Sequence, residues 1–290
     1  VLSAGWQGTD TSPGSDIDFY EVALGTAAGD SNIIGWYLTT DTLITSDTLD
    51  LIDGETYFVS VRVTDVAGNR SAVLSGDGIL IDVTPPLTGT INDGAGDDIQ
   101  FTSSTTTLSA NWSGFSDATS SIANFEYSIG TTAGSQNISP WTFIPGSLIT
   151  VTQDSLSLTH GTTYFFNIHA YDEADNVSQT ISSNGITLDT EMPVINQLTE
   201  GSPENPVYQA SDDSLALYCN ANDNLSGIGL YQFAVGSTEG DSDIVAWTTF
   251  TSENSSVIFE PLVLINGSVY YGQVRVFDQA GNSNMLEGDG

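Results

Sequence analysis

Three sets of oxygen-bearing side chains recur at matching intervals along this chain. Asp65, Asp172 and Asp278 stand 107 and 106 residues apart in TDVAGN (64–69), YDEADN (171–176) and FDQAGN (277–282), with Asn69, Asn176 and Asn282 four residues after each acid. Asp10, Asp117 and Asp223 keep the same intervals, and Asp82 and Asp189 are again 107 apart. Carboxylates and amide carbonyls are hard oxygen donors, and several of them at one place suit Ca²⁺, which takes six to eight oxygen ligands. A second chemistry accounts for the same residues. Each Asp caps its own turn through an Asx-type hydrogen bond, with Gly68 or Gly281 supplying the positive φ. No EF-hand-type loop is present, so both readings stand on the sequence. NDGAGDD (92–98) offers the same choice between ion site and glycine-rich turn.

Other chemistries are excluded or unsupported. There is no GxSxG, HExxH, P-loop or dinucleotide-binding glycine pattern, and the expectation is a non-enzyme. Against 37 Asp and Glu stand Arg62, Arg70 and Arg275, with no Lys, for a formal charge of -34. Such a chain has nothing with which to neutralise phosphates, so nucleic acid is excluded as a partner and an anionic membrane surface disfavoured. Cations are its natural counterparts. Cys219 is the sole cysteine, which rules out an intrachain disulfide. No apolar run of about 18 residues predicts a membrane span. Any export signal is expected outside VLSAGW, the opening stretch.

The elements that must position the acids are strands. TYFVSVRVTD (56–65) alternates Tyr57, Val59, Val61 and Val63 with Phe58, Ser60, Arg62 and Thr64, the period of a half-buried strand. Gly25, Gly130 and Gly236 step by 105 and 106, as do Trp36, Trp141 and Trp247. A period near 106 is one sandwich domain per repeat. Proline signals at IDVTPP (81–86) and LDTEMP (188–193) mark the boundaries. They divide the chain into repeats 1–86, 87–193 and 194–290. By alignment the first is expected to lack strand A and the last strand G, either as an excerpt of a longer array or because subunits exchange strands.

LIDGETY, LTHGTTY and LINGSVY place Tyr57, Tyr164 and Tyr270 three residues after a glycine. LSAGW and LSANW point Trp6 and Trp112 inward from strand B, a position LALYC gives to Cys219, expected to be buried and inert. The first pattern looks like the tyrosine corner of Greek-key sandwiches. Together they resemble tandem fibronectin type III or bacterial Ig-like repeats over the whole chain. The resemblance implies an all-β fold of three tandem Greek-key sandwiches in a rod-like array. It also places the loops after strands B and F at one pole, beside the end of the preceding repeat's strand G. The candidate ligand sets then become Asp82, Asp117, Asp172 and Asn176 at one junction, and Asp189, Asp223, Asp278 and Asn282 at the next.

Arg62, His169 and Arg275 share an outward position on strand F, opposite Glu21, Glu126 and Gln232 on strand C, and cross-strand pairing is expected. Trp36, Trp141 and Trp247 follow strand C, where they either pack across the outer sheet or stack on sugars. The function expected is a structural segment of a prokaryotic cell-surface or secreted stalk, fibre or filament, with neighbouring repeats of its own kind as partners and Ca²⁺ as the one candidate cofactor. An adhesin for glycans or proteins and an accessory region of a secreted enzyme are the alternatives.

Overall fold

The computed structural model describes residues 2–11, 14–201 and 208–290, and these contain strands and turns without a helix. Along the first repeat run β1 (Leu2–Gly5), β2 (Ile17–Gly25), β3 (Ile34–Thr39), β4 (Leu43–Ser46), β5 (Thr56–Asp65), β6 (Leu74–Ser75) and β7 (Ile79–Leu80). The second holds β8 (Thr90–Asp93), β9 (Phe101–Thr102), β10 (Leu108–Ser113), β11 (Ile122–Gly130), β12 (Ser139–Pro145), β13 (Thr150–Gln153), β14 (Thr163–Asp172), β15 (Ile181–Ser182) and β16 (Ile186–Leu188). The third holds β17 (Val194–Glu200), β18 (Leu215–Asn222), β19 (Ile228–Gly236), β20 (Val245–Thr251), β21 (Ser256–Phe259), β22 (Tyr271–Asp278) and β23 (Ser283–Glu287).

The strands form three pairs of sheets with one plan. In the second repeat β13-β10-β8 makes one sheet and β12-β11-β14-β16-β9 the other, with β15 also on β14. The third repeats it as β17-β18-β21 and β20-β19-β22-β23, and the first as β1-β4 and β3-β2-β5-β6 with β7 on β5. Each repeat is a fibronectin III-like two-layer sandwich, with three strands and four in the third repeat, three and six in the second, and two and five among the described residues of the first. In the third repeat β23 takes the place that β6 and β15 hold in the other two, pairing β22 from Phe277↔Ser283 to Gln273↔Glu287.

The inward residues of strand B show how each core is filled. Leu108, Ala110 and Trp112 are buried, and Trp112 meets Phe125 edge-on at 5.5 Å. Leu215, Leu217 and Cys219 take the same three positions in the third repeat and are also buried. A larger Leu where the second repeat has Ala accompanies the smaller Cys where it has Trp, which keeps the layer filled. Burial pushes the Cys219 thiol up to about 11, so it is an inert packing residue. In the first repeat Trp6 meets Tyr20 edge-on at 6.0 Å, and Leu2, Leu24 and Tyr57 form the core.

All three tyrosine corners are made. The hydroxyls of Tyr57, Tyr164 and Tyr270 accept the backbone N–H of the residue five earlier, Ile52 at 3.0 Å, Thr159 at 2.8 Å and Ile265 at 2.7 Å. Tyr164→Phe keeps the buried ring and leaves the Thr159 N–H without its acceptor. The expected loss is about 1 kcal/mol, read as a lower midpoint in urea with unchanged slope.

By compactness the chain groups into two units. One comprises Val1–Leu87, Phe115–Ala123 and Ala170–Ser178, and the other Thr88–Gly114, Asn124–His169 and Gln179–Gly290. The loops after β10 and β14 thus pack with the end of the first repeat. Leu87 exchanges backbone hydrogen bonds with Ser116 at 2.7 and 3.3 Å.

Candidate metal centre

The bend after strand F is built identically three times. Asp65, Asp172 and Asp278 each accept the backbone N–H of the Asn four residues on through Oδ1, at 2.7, 2.9 and 2.8 Å. Each also accepts that residue's side-chain Nδ2 through Oδ2, at 2.7, 2.9 and 2.8 Å. The turn needs a left-handed residue, supplied by Gly68 (φ 87), Asp175 (φ 66) and Gly281 (φ 89). Turn capping is therefore one role of these aspartates in every copy.

The loop after strand B is capped the same way. Asp117 Oδ1 accepts the N–H groups of Thr119 and Ser120 at 2.8 and 2.9 Å. Asp223 Oδ1 accepts those of Leu225, Ser226 and Gly227 at 3.0, 2.9 and 2.9 Å. The third acid comes from the segment leaving the preceding sandwich. Asp82 Oδ2 accepts the Ser120 hydroxyl at 2.5 Å, and Asp189 Oδ2 accepts the Ser226 N–H at 3.1 Å.

Capping brings the carboxylates together. In the first unit Asp82, Asp117 and Asp172 each offer an oxygen lying within 4.8 Å of the other two, and in the second Asp189, Asp223 and Asp278 do the same. Asp172, Asp189 and Asp278 are buried, at 0%, 0% and 4% exposure. Two observations fit a cation to these sets. Asp117 Oδ2 is buried with no hydrogen-bond partner among the described residues. Burial, together with the neighbouring Asp189 and Asp223 charges, raises the Asp278 carboxyl above the ordinary range despite its bonds to Asn282. Three hard anionic oxygens in each set match Ca²⁺ better than a softer metal.

Asn176 and Asn282 also hold the incoming segment. Each amide nitrogen donates twice, to the aspartate of its own bend and to a backbone carbonyl, Asp82 O at 3.2 Å and Asp189 O at 2.9 Å. With acceptors on both sides the amide is needed as a donor. The asparagine amide nitrogens thus brace the incoming segment, and their Oδ1 atoms are left for other partners. In the first repeat Asp10 and Asp65 carry the same loops, Asp10 accepting Ser15 N–H at 2.8 Å, without a third acid of the described residues beside them.

The outer sheet accounts for the remaining candidates. Arg62 donates to both carboxylate oxygens of Glu21 at 2.9 Å, and Arg70 approaches the same group at 2.7 Å. Those bonds hold the Glu21 carboxyl below its ordinary value. His169 meets Glu126 at 3.1 Å, and Arg275 donates to Gln232 at 3.5 Å. The three tryptophans lie on these same residues. Arg62 sits over Trp36 at 4.3 Å, Trp141 meets His169 at 4.5 Å, and Arg275 sits over Trp247 at 4.6 Å. One face of each ring is used in outer-sheet packing.

Sequence reasoning missed a second recurring acid. Asp93, wholly buried at the end of β8, accepts the Gly185 N–H at 2.9 Å. Glu200, 107 residues on at the end of β17, accepts the Gly290 N–H at 2.9 Å and the Gly272 N–H as well. The signal was an acid–glycine pair repeated at the domain period, Asp93-Gly94 and Glu200-Gly201. The NDGAGDD acids turn out to brace the loop: Asp98 accepts the Asp93 N–H at 3.0 Å and the Asn184 amide at 2.8 Å. In the third repeat the corresponding bend falls largely on residues 202–207, outside the described residues.

No protein-family model matches the chain, and no curated protein matches it either. Among solved structures it is similar to the FN1–FN3 domains of chicken CNTN1, at 15% identity and a TM-score of 0.41 over 98% of this chain and 93% of that one. It is also similar to the fibronectin(III)-like modules of CbhA from Clostridium thermocellum, at 10% identity and a TM-score of 0.41 over 68% of this chain and 91% of that one.

Proposed function

We propose that this chain is a non-catalytic structural segment of a secreted or cell-surface stalk or filament, in which Ca²⁺ pins the end of one sandwich to the loops of the next. The observation that carries the reading is the pair of aspartate triads, each combining two loop acids of one repeat with one acid from the segment leaving the repeat before. A cation there would tie three chain segments at once. The asparagine brace already orients the incoming backbone, so the ion adds charge neutralisation to a preformed arrangement. A strongly acidic surface, in a chain of net charge -34, keeps such a segment hydrated and soluble.

Isothermal titration of the whole chain with Ca²⁺, after chelation, tests this reading. Two binding events are expected, one removed by Asp117→Asn and the other by Asp223→Asn. Small-angle scattering should show a narrower distribution of particle lengths with Ca²⁺ than with chelator. Absence of binding heat in moderate salt would leave the aspartates as turn formers only. Glycan-array binding lost on Trp141→Ala would favour the adhesin instead.

A further inference from the structure

Ionisable residues are spread unevenly over the two layers of these sandwiches. Strand B and the strands beside it turn only uncharged side chains outward. In the second repeat the outward positions of β8, β10 and β13 hold Thr, Ser and Asn alone, and in the third those of β17, β18 and β21 hold Val, Asn, Gln, Thr, Ala, Tyr, Ser and Ile. The acids on these strands, Asp93 and Glu200, point inward at 0% and 8% exposure. β1 and β4 carry no ionisable residue either. The opposite layer is charged in every copy, with Glu21 and Arg62, Glu126 and His169, and Arg275 and Glu287. In the third repeat the uncharged face has an apolar centre. Tyr218 is 39% exposed between Thr199 and Ser256, and Ile258, opposite the next outward residue Ala216, is 66% exposed. Asn220 and Gln197, a register pair, border them.

We propose that this uncharged face, centred on Tyr218, is a self-association surface that receives the same face of a second copy of this chain. The occupant follows from charge. Each copy has a formal charge of -34, so two copies repel wherever their acids approach, whereas their strand-B layers meet without opposing like charges. Depletion of charged residues around a central aromatic is also the compositional mark of an interface core. The pairing is isologous, so Tyr218 and Ile258 of one copy lie against those of the other, with Asn220 and Gln197 at the rim. Three strands about 4.8 Å apart and roughly 20 Å long give a face of about 300 Å², well under the about 800 Å² per partner of a standard interface. One pair of faces therefore holds weakly. Repeats in tandem multiply the contact through effective concentration, as lateral bundling of a stalk or filament requires.

The test is sedimentation of the whole chain over a range of concentrations in low salt and in about 1 M NaCl, where the Debye length is about 3 Å. Chelator is present throughout, so that the outcome is independent of divalent-cation binding. The expected result is a monomer in low salt and a reversible dimer in high salt, because screening removes the repulsion between copies and leaves the uncharged contact intact. An interface of ion pairs would respond to salt in the opposite sense. Asn220→Asp, which brings two like charges together across the two-fold axis, and Tyr218→Ser should each weaken the dimer about tenfold or more. Both side chains are exposed, so the fold survives either change. Phe143→Ser, on the opposite layer of the second repeat and 61% exposed, should leave dimerisation unchanged. A monomer under all conditions, a dimer indifferent to Asn220→Asp or Tyr218→Ser, or one lost on Phe143→Ser would overturn the proposal. So would uptake of a neutral polysaccharide at this face by a chain that stays monomeric.

Discussion

Saturating Ca²⁺ should raise the melting temperature of the protein by roughly 10 °C at neutral pH, as a cation at 1,000 times its dissociation constant adds about 4 kcal/mol to the state that binds it. Calorimetry with Ca²⁺, with chelator, and with a monovalent salt at matched ionic strength separates specific binding from screening of the acidic surface. The informative variant is Asp117→Asn. Its Oδ1 still accepts the Thr119 and Ser120 N–H groups, so the turn survives, while the buried Oδ2 loses its charge. The first unit should then stop responding to Ca²⁺ and be no less stable in chelator. An undiminished response would show that the ion binds elsewhere. Acid should act oppositely on the two states of the second unit. The Asp278 carboxyl is raised by burial and by Asp189 and Asp223, so the metal-free unit binds more protons folded than unfolded. Its stability therefore falls as pH rises through that raised value, whereas Ca²⁺ binding needs the carboxylates ionised. The benefit of Ca²⁺ shrinks as pH is lowered.

Asp93 should make a large contribution of the same sign without any metal. Burial drives its carboxyl from the usual 3.8 to about 6, with the Asp98 charge adding to the shift and the Ser183 and Gly185 bonds opposing it. The folded state therefore holds a proton that the unfolded state releases. Its stabilisation is complete below about pH 4 and is lost as pH rises through about 6, a change of about 3 kcal/mol. Asp93→Asn retains an oxygen for the Gly185 N–H and removes the titration. Urea midpoints at pH 4.5 and 7.5 should differ less in the variant than in the parent, the common background from net charge cancelling in the comparison. Equal pH dependence in the two proteins would show that the Asp93 carboxyl titrates normally.

Much of this was legible from residue spacing because the repeat supplies its own controls. Tyr57, Tyr164 and Tyr270 each bond the backbone five residues earlier, an outcome that the local Leu-x-x-Gly-x-x-Tyr pattern specifies since glycine sets the bend and the ring anchors it. The pairing of Glu21 with Arg62 followed from period-two alternation on adjacent strands. Less legible was the direction of hydrogen bonding. Asn176 and Asn282 have both a donor and an acceptor at the tip, and only the carbonyls of Asp82 and Asp189 arriving beside them decide that they donate.

The sequence alone determined the period, the sandwich class, the inward residues of strand B and the turn-forming aspartates, because each depends on contacts between residues close in the chain or on strict alternation. The tertiary structure decided which acids meet. Asp82 and Asp172 are 90 positions apart, and only packing of the loops after β10 and β14 onto the segment leaving the first sandwich brings their oxygens within 4.8 Å. The same holds for Asp93, whose burial, raised carboxyl and bond to Gly185 arise from strands 92 residues apart closing over it.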